Sequence, residues 1–220
     1  GGYNVAVGYA SLRSNTTGAS NTAMGSQALK ANTTASYNTA VGHISLRDNT
    51  TGVSNTAVGF SALIVNTTGG SNSAFGFEAL RFNTTGTVNT AIGTTALYGN
   101  TTGNNNTALG SAALRNNTTG STNVASGMQS LYANSTGSYN VAAGWSAMFR
   151  NTTGNQNTAS GIQVLYNNTT GGNNVAVGQS ALQNNTTGTY NTSLGMQTLV
   201  FNTTGINNTA TGYNALRNNT

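Results

Sequence analysis

A strict period of 17 residues constrains this chain more than any other feature. The unit is represented by the stretch from Asn55 to Gly69 with two variable residues added, and it recurs about thirteen times. Asn opens every copy from Asn4 to Asn208, and no copy gains or loses a residue. Such a period is typical of a solenoid in which each copy is one coil stacked on the one before. We therefore predict an all-β solenoid (β-roll) of about thirteen coils, forming a single array over 1–220 without separate domains.

The composition separates this chain from ordinary globular proteins. Charged residues make up 4% of it, against about 25% in typical soluble domains. The richness in Asn, Thr, Gly and Ser would fit disorder, but a large apolar residue at every seventeenth position, Leu in all copies except Met148, indicates an ordered core. Cysteine is absent, which excludes disulfides and thiolate metal sites. No apolar run is long enough to span a bilayer, so we expect no membrane insertion.

Within the unit, the segment from Asn38 to Gly42 alternates polar and apolar residues and predicts a short strand with its Ala inside the coil. Gly is expected at corners, where it supplies positive φ or close approach. Leu is expected to form the core. The segment around Leu is compatible with a second strand or a single helical turn, and we favour the strand. The residues predicted to form structural ladders are Asn21, Asn38, Asn55, Asn66, Asn83, Leu46, Leu63, Leu80, Gly42, Gly59 and Gly76.

The two Asn columns have two interpretations. Stacked Asn side chains can hydrogen-bond along a column, as in cross-β ladders. The second column also forms N-x-Thr acceptor sequences for glycosylation, as at Asn15-Thr16-Thr17. We favour the structural ladder, because an inward Asn would leave the acceptor sequence present but unmodified.

Aromatic and basic residues concentrate in surface columns. They follow the first Gly or the Leu of the unit and include Tyr9, Arg13, Arg47, Phe60, Phe77, Arg81, Arg115, Trp145 and Tyr213. This candidate stripe could pack against other chains, since Arg and Tyr are enriched at interfaces, or it could bind a surface glycan. We favour the interface. Nucleic acid is not an expected partner, because only 7 basic residues are spread along the array.

Columns of Thr raise ice binding as a further alternative. Neighbours such as Thr16 and Thr17 point to opposite faces of an extended segment, so only one of the pair can face outward. A second outward column would have to come from Thr22 and its equivalents, and Val5 and Val124 interrupt it. Ice binding is therefore the lesser alternative.

The sequence gives no support to catalysis. It contains one His (His43), one Glu (Glu78) and one Asp (Asp48), so no paired carboxylates, metal cluster or nucleophile–base arrangement can be assembled. We predict a non-enzymatic protein without cofactor or metal.

The repeated pattern Asn-Thr-Ala-Val-Gly-x-x-Ala-Leu-x-x-Asn-Thr-Thr-Gly resembles repeats of phage and bacterial tail-fibre-like proteins. Its Asn-Val-Ala-Val-Gly form, at Asn4 to Gly8 and Asn174 to Gly178, is similar to the head repeats of trimeric autotransporter adhesins. The resemblance implies a β-roll, left-handed in those heads, with three chains side by side. It also implies an extracellular, cell-surface or virion location.

These observations together favour a structural component of an extracellular fibre or filament. Self-association is the expected partnership, either end to end into a filament or side by side as a trimer. The alternatives are an adhesin or tail-fibre segment that binds surface glycans and, after it, an ice-binding protein that uses Thr ladders.

Overall fold

The computed structural model describes residues 2–219 and divides the chain into two compact units, Gly1–Ala108 and Leu109–Thr220. Both units are built from the same coil of 17 residues, and the described residues contain β-strands and turns but no helix. The predicted all-β solenoid fold is thereby confirmed. The prediction of one array without separate domains stays a prediction.

Each coil of the first unit contributes one strand of 3 residues. Successive strands pair in parallel with a shift of one unit, so that Ala23 lies opposite Ala40 and Ala40 opposite Ala57. The strands are β1 (Val5–Val7), β2 (Thr22–Met24), β3 (Thr39–Val41), β4 (Thr56–Val58), β5 (Ser73–Phe75) and β6 (Thr90–Ile92), and β7 (Thr107–Leu109) follows at the division between the units.

The second unit repeats this arrangement. Its strands also pair in parallel and in chain order, with Ala125 opposite Ala142 and Ala142 opposite Ala159. They are β8 (Val124–Ser126), β9 (Val141–Ala143), β10 (Thr158–Ser160), β11 (Val175–Val177), β12 (Thr192–Leu194) and β13 (Thr209–Thr211).

The interior of the coil holds small side chains and one large one. The central Ala of the strand has no exposed surface at Ala57, while its neighbours Thr56 and Val58 point outward and are half-buried. This is the alternation that the sequence predicts, because successive strand residues face opposite sides. Leu63 is fully buried, as are its equivalents from Leu29 to Leu199, with Met148 taking the same place in its coil.

The prediction of a second strand at the Leu segment is wrong, and a helical turn is not formed either. The segment runs through turns in which the Leu itself has positive φ, 54° at Leu63 and between 47° and 54° in its equivalents from Leu29 onward. Ser61, two residues earlier, also has positive φ, of 55°. Non-glycine residues adopt this conformation at a cost of order 1–3 kcal/mol. In the coils from Leu29 to Leu199, complete burial of this side chain offsets that cost.

The first Gly of the unit is required for two reasons. Its φ lies between 114° and 139° in every coil, a region that side chains rarely adopt. A Cβ on Gly59 would also lie 2.4 Å from the carbonyl oxygen of Gly76 in the next coil. The Gly columns thus let the backbones of neighbouring coils approach closely.

No helix among residues 2–219 has the length and apolar character needed to cross a membrane.

Candidate interaction surfaces of the coil

Two ladders of buried Asn side chains join the coils. The strand Asn ladder is formed by the Asn before each strand: the backbone N–H of Asn72 donates to Oδ1 of Asn55 at 2.9 Å, and the N–H of Asn55 donates to Oδ1 of Asn38 at 2.9 Å. The corner Asn ladder is formed by the Asn of each Asn-Thr-Thr-Gly segment: Nδ2 of Asn66 donates to Oδ1 of Asn49 at 2.8 Å. These bonds confirm the predicted Asn ladders.

A shared acceptor ties the two ladders together within each coil. The carbonyl oxygen of Gly69 accepts hydrogen bonds from Nδ2 of both Asn55 and Asn66, each at 2.9 Å. A Cβ on Gly69 would lie 2.5 Å from Oδ1 of Asn66 and 2.4 Å from the carbonyl oxygen of Gly86. Gly at this corner therefore avoids close contacts with the ladder, although the corner accommodates the Cβ of Ala35. Ala35, the one substitution in the column, keeps the same two hydrogen bonds on its carbonyl.

The corner ladder also bears on glycosylation. Asn66 opens an Asn-Thr-Thr acceptor sequence, yet it has no exposed surface and its Nδ2 already makes two hydrogen bonds. A glycan is attached through that same nitrogen. In the folded coil, the nitrogen of Asn66 that would carry a glycan is therefore buried and already hydrogen-bonded.

The two Thr residues that follow each corner Asn have different environments. The inner Thr column is represented by Thr67, whose hydroxyl donates to the carbonyl of Thr84 in the next coil at 3.1 Å. The outer Thr column is represented by Thr68, which is exposed and whose hydroxyl makes no hydrogen bond among the described residues. The outer column is Thr in twelve successive described coils: Thr17, Thr34, Thr51, Thr68, Thr85, Thr102, Thr119, Thr136, Thr153, Thr170, Thr187 and Thr204.

The structure separates the candidate stripe into two columns. In the column after the first Gly, Phe60 stacks on His43 and on Phe77 with ring centroids 5.5 and 5.3 Å apart and nearly parallel planes. In the column after Leu, Phe149 stacks on Tyr132 and Tyr166 at 4.9 and 5.2 Å. Because these ring faces are turned toward one another, they offer a sugar their edges rather than a face to lie on.

The basic residues of the stripe are mostly engaged. Arg47 makes a bidentate pair with Asp48, with both N–O distances 2.7 Å, and hydrogen bonding to that carboxylate raises the pKa of Arg47. Arg81 pairs with Glu78, and its guanidinium lies 5.9 Å from the ring centroid of Tyr98. Arg115 lies in the same way over Tyr132, at 5.8 Å.

The remaining members of the stripe are exposed. Tyr9, Arg13, Trp145 and Tyr213 all lie at the surface. Trp145 is 45% exposed and follows the first Gly of its coil, between Met128 and Ile162 of the neighbouring coils, which are exposed to a similar degree. Tyr9 and Arg13 belong to the first described coil and Tyr213 to the last.

One buried polar pair was missed by the sequence analysis. Ser193 and Thr198 lie in the same coil, at two positions where most other coils have Ala. Both side chains are fully buried. Their hydroxyl groups hydrogen-bond to each other, and Thr198 also donates to the carbonyl of Gly195 at 3.0 Å. The signal was present in the sequence, because the two departures from Ala fall in one unit.

The described residues offer no enclosed site for small-molecule chemistry. Residues 2–219 form no cavity or cleft, and no three of their His, Cys, Asp or Glu side chains come together as metal ligands would. What the coil presents to a partner is therefore surface: the outward strand residues, the outer Thr column and the two aromatic columns.

The fold and these surfaces define a β-solenoid repeat protein. Comparison with protein-family models, curated proteins and solved structures found no match. The similarity to tail-fibre and adhesin-head repeats accordingly rests on the repeated sequence pattern.

Proposed function

We propose that this chain is a structural component of an extracellular fibre or filament, in which the stacked coils act as a rigid shaft. The observation that carries the proposal is the pair of Asn ladders, which commits two buried polar side chains of almost every coil to neighbouring coils. Buried amides with all their partners stabilise a single arrangement, and losing a partner is costly. A chain whose buried polar side chains hydrogen-bond neighbouring coils to one another is suited to bearing load.

The distribution of charge supports the same role. The two acidic side chains, Asp48 and Glu78, are each paired with an Arg in their own coil. Salt and pH therefore have few groups on which to act. Such a shaft would keep its structure under the changing conditions outside a cell, on a cell surface or on a virion.

Mechanical unfolding of the chain tests the shaft directly. Each coil holds 17 residues, which corresponds to about 56–61 Å of extended chain at ~3.3–3.6 Å per residue. Pulled from its two ends, a shaft should release coils in steps that are multiples of this length and at a force well above that of an unstructured chain. Smooth extension at low force would refute the shaft.

Location is tested separately. Antibodies raised against the folded chain should label fibres on intact source cells or virions by immunogold electron microscopy. Labelling confined to the cell interior would refute the extracellular assignment.

The outer Thr column favours ice binding as a second candidate function. Its hydroxyl groups are exposed, lack partners among the described residues and recur once per coil, as in Thr51 and Thr68. Neighbouring strands lie about 4.7–4.9 Å apart, so these hydroxyl groups form a row with a regular spacing of about the same length. Thermal hysteresis in solution, abolished when successive outer Thr residues are replaced by Lys, would support this function. Its absence at high protein concentration would exclude it.

A further inference from the structure

The basic residues of this chain are confined to two adjacent columns. Each of the 7 stands one or two positions after the large apolar residue of its coil. They are Arg13, Lys30, Arg47, Arg81, Arg115, Arg150 and Arg217. Both acidic residues belong to the first unit, where each is paired with an Arg. The second unit therefore has basic side chains and no acidic one, so an anion that approaches these columns meets no carboxylate side chain there.

Two Arg side chains of the second unit contact a stack of three aromatic rings. Phe149 lies between Tyr132 and Tyr166, with interplanar angles of 9° and 5°. The guanidinium of Arg115 lies 5.8 Å from the ring centroid of Tyr132. The guanidinium of Arg150 lies 5.8 Å from the ring centroid of Tyr166. We call these five residues the Arg–ring cluster.

The rings position the two guanidinium groups. A cation within about 6 Å of a ring centroid is attracted by the ring quadrupole, and Nη1 of Arg115 also donates to the Tyr132 hydroxyl at 3.4 Å. A side chain that is already held in place loses less conformational freedom when it binds a partner. The N–H groups of a guanidinium match the two oxygens of a carboxylate. The cluster is therefore organised to bind anionic groups.

Arg150 is the member of the cluster that is most open to a ligand. Its side chain is exposed, and its guanidinium makes no hydrogen bond or ion pair among residues 2–219. Its position, two residues after the buried Met148, places it in the column next to that of Arg115. The two Arg residues therefore lie on the same side of the coil.

The spacing of these charges limits the kind of anion that fits. Arg115 and Arg150 belong to coils that are two apart, which corresponds to about 9–10 Å along the stack at ~4.7–4.9 Å per coil. Duplex DNA carries one charge per about 1.7 Å of its axis, so most of its phosphates would find no partner on this surface. A polymer whose anionic groups are separated by uncharged units fits better. Polysaccharides that alternate a uronic acid with a neutral sugar have this pattern.

We propose that the Arg–ring cluster binds an acidic polysaccharide, with one carboxylate on Arg150 and another on Arg115. The three rings hold the guanidinium groups and do not stack on a sugar, because their faces are turned toward one another. This binding function goes beyond the proposed shaft and does not depend on it. In a fibre it would attach the side of the shaft to an acidic polysaccharide.

Binding of fluorescently labelled hyaluronate fragments, which alternate a uronic acid with a neutral sugar, tests the proposal. Fluorescence anisotropy should show saturable binding that weakens as salt is added. Arg115→Gln and Arg150→Gln should each lower the affinity about three- to fivefold, and the double change about ten- to twentyfold. Tyr166→Leu keeps every charge but removes the ring that contacts Arg150, and it should lower the affinity about two- to threefold.

The matched control is Arg13→Gln. It removes the same charge from the same column, but Arg13 belongs to the first unit and contacts no aromatic ring among the described residues. Its loss should change the affinity by less than about 1.5-fold. Circular dichroism checks that every variant keeps the fold of the unsubstituted chain.

Four results would overturn the proposal. Equal losses in Arg13→Gln and Arg150→Gln would show general attraction to the net charge. Tighter binding of a single-stranded DNA oligonucleotide than of hyaluronate would show a nucleic-acid site. Equal binding of uncharged dextran would show that charge is not recognised. Absence of hyaluronate binding at low ionic strength would refute the site outright, and the mechanical test of the shaft would be unaffected.

Discussion

Replacement of Asn66 by Ala tests whether the corner Asn ladder stabilises the solenoid. Asn66 lies in the middle of the first unit and makes bonds to Asn49, Gly69 and Asn83. The substitution leaves the carbonyl of Gly69 with its second donor, Asn55. Among the described residues, it removes the single hydrogen bond accepted by Oδ1 of Asn49 and one of the two made by Nδ2 of Asn83.

The expected loss follows from these two groups. Leaving a buried polar group without its partner costs about 1–3 kcal/mol, so Asn66→Ala should lower local stability by about 2–6 kcal/mol. The matched control is Thr68→Ala in the same segment. The hydroxyl of Thr68 is exposed and without a partner, so its loss should change stability by no more than about 0.5 kcal/mol.

Amide hydrogen exchange is the appropriate assay, because stacked repeats can open locally and need not unfold in a single step. Exchange should accelerate in the coils that contain Asn49, Asn66 and Asn83, and the thermal midpoint followed by circular dichroism should fall. If Asn66→Ala and Thr68→Ala have equal effects, the ladder does not stabilise the fold and the reasoning is refuted.

Replacement of Asn66 by Asp separates loss of hydrogen bonds from loss of volume. The carboxylate would place acceptor oxygens next to Oδ1 of Asn49 and the carbonyl oxygen of Gly69, which are themselves acceptors. Burial should raise the pKa of the new Asp above its unfolded value of about 3.9. Destabilisation should then be smallest below the unfolded pKa, grow as pH rises toward the raised folded pKa, and remain constant above it. Asn66→Ala should show no such dependence.

Three further substitutions test the rest of the coil. Gly59→Ala should destabilise strongly, because φ is 136° and the added Cβ would lie 2.4 Å from a backbone oxygen of the next coil; an unchanged melting temperature would contradict this. Val88→Asn should raise stability by about 0.5–1 kcal/mol, since a β-branched residue at φ 57° and 55% exposure gives way to one that tolerates this conformation. Thr198→Ala should destabilise by about 0.5–1.5 kcal/mol, because Ser193 loses its bond to the Thr198 hydroxyl but keeps its bond to the carbonyl of residue 198, whereas the double change with Ser193→Ala should restore stability as measured by chemical denaturation.

The period predicted those features that depend on stacking equivalent residues. An inward Ala such as Ala57, a buried Leu such as Leu63 and the ladder through Asn66 all follow once each residue is placed on its equivalent in the next coil. The backbone conformation between these residues does not have to be known. The period alone fixes which residues are neighbours.

The conformation between those positions could not be predicted in the same way. Leu normally avoids positive φ, and nothing local at Leu63 indicates φ 54°. Burial of the Leu63 side chain between neighbouring coils offsets the cost of this conformation, and that burial is a tertiary effect. The ring contacts among the surface residues could not be predicted either, because they depend on side-chain orientation: Phe60 and Phe77 stack within one column, whereas Phe82 and Tyr98, in adjacent columns, meet edge to face.

Coil stacking accounts for nearly every residue that recurs in the unit. The Asn columns hydrogen-bond between coils, Gly permits close approach, Ala and Leu fill the interior, and the inner Thr donates to the next coil, as Thr67 does to Thr84. The outer Thr is the exception, because Thr68 and its equivalents recur in an exposed position without a hydroxyl partner among the described residues. Other exposed columns have diverged, for example to Val88 and Asn105 at one position. Hydrogen bonding and burial between coils therefore do not explain why Thr recurs in the outer Thr column, and the comparison of Thr68→Ala with Asn66→Ala is the first measurement of what this column contributes to the fold.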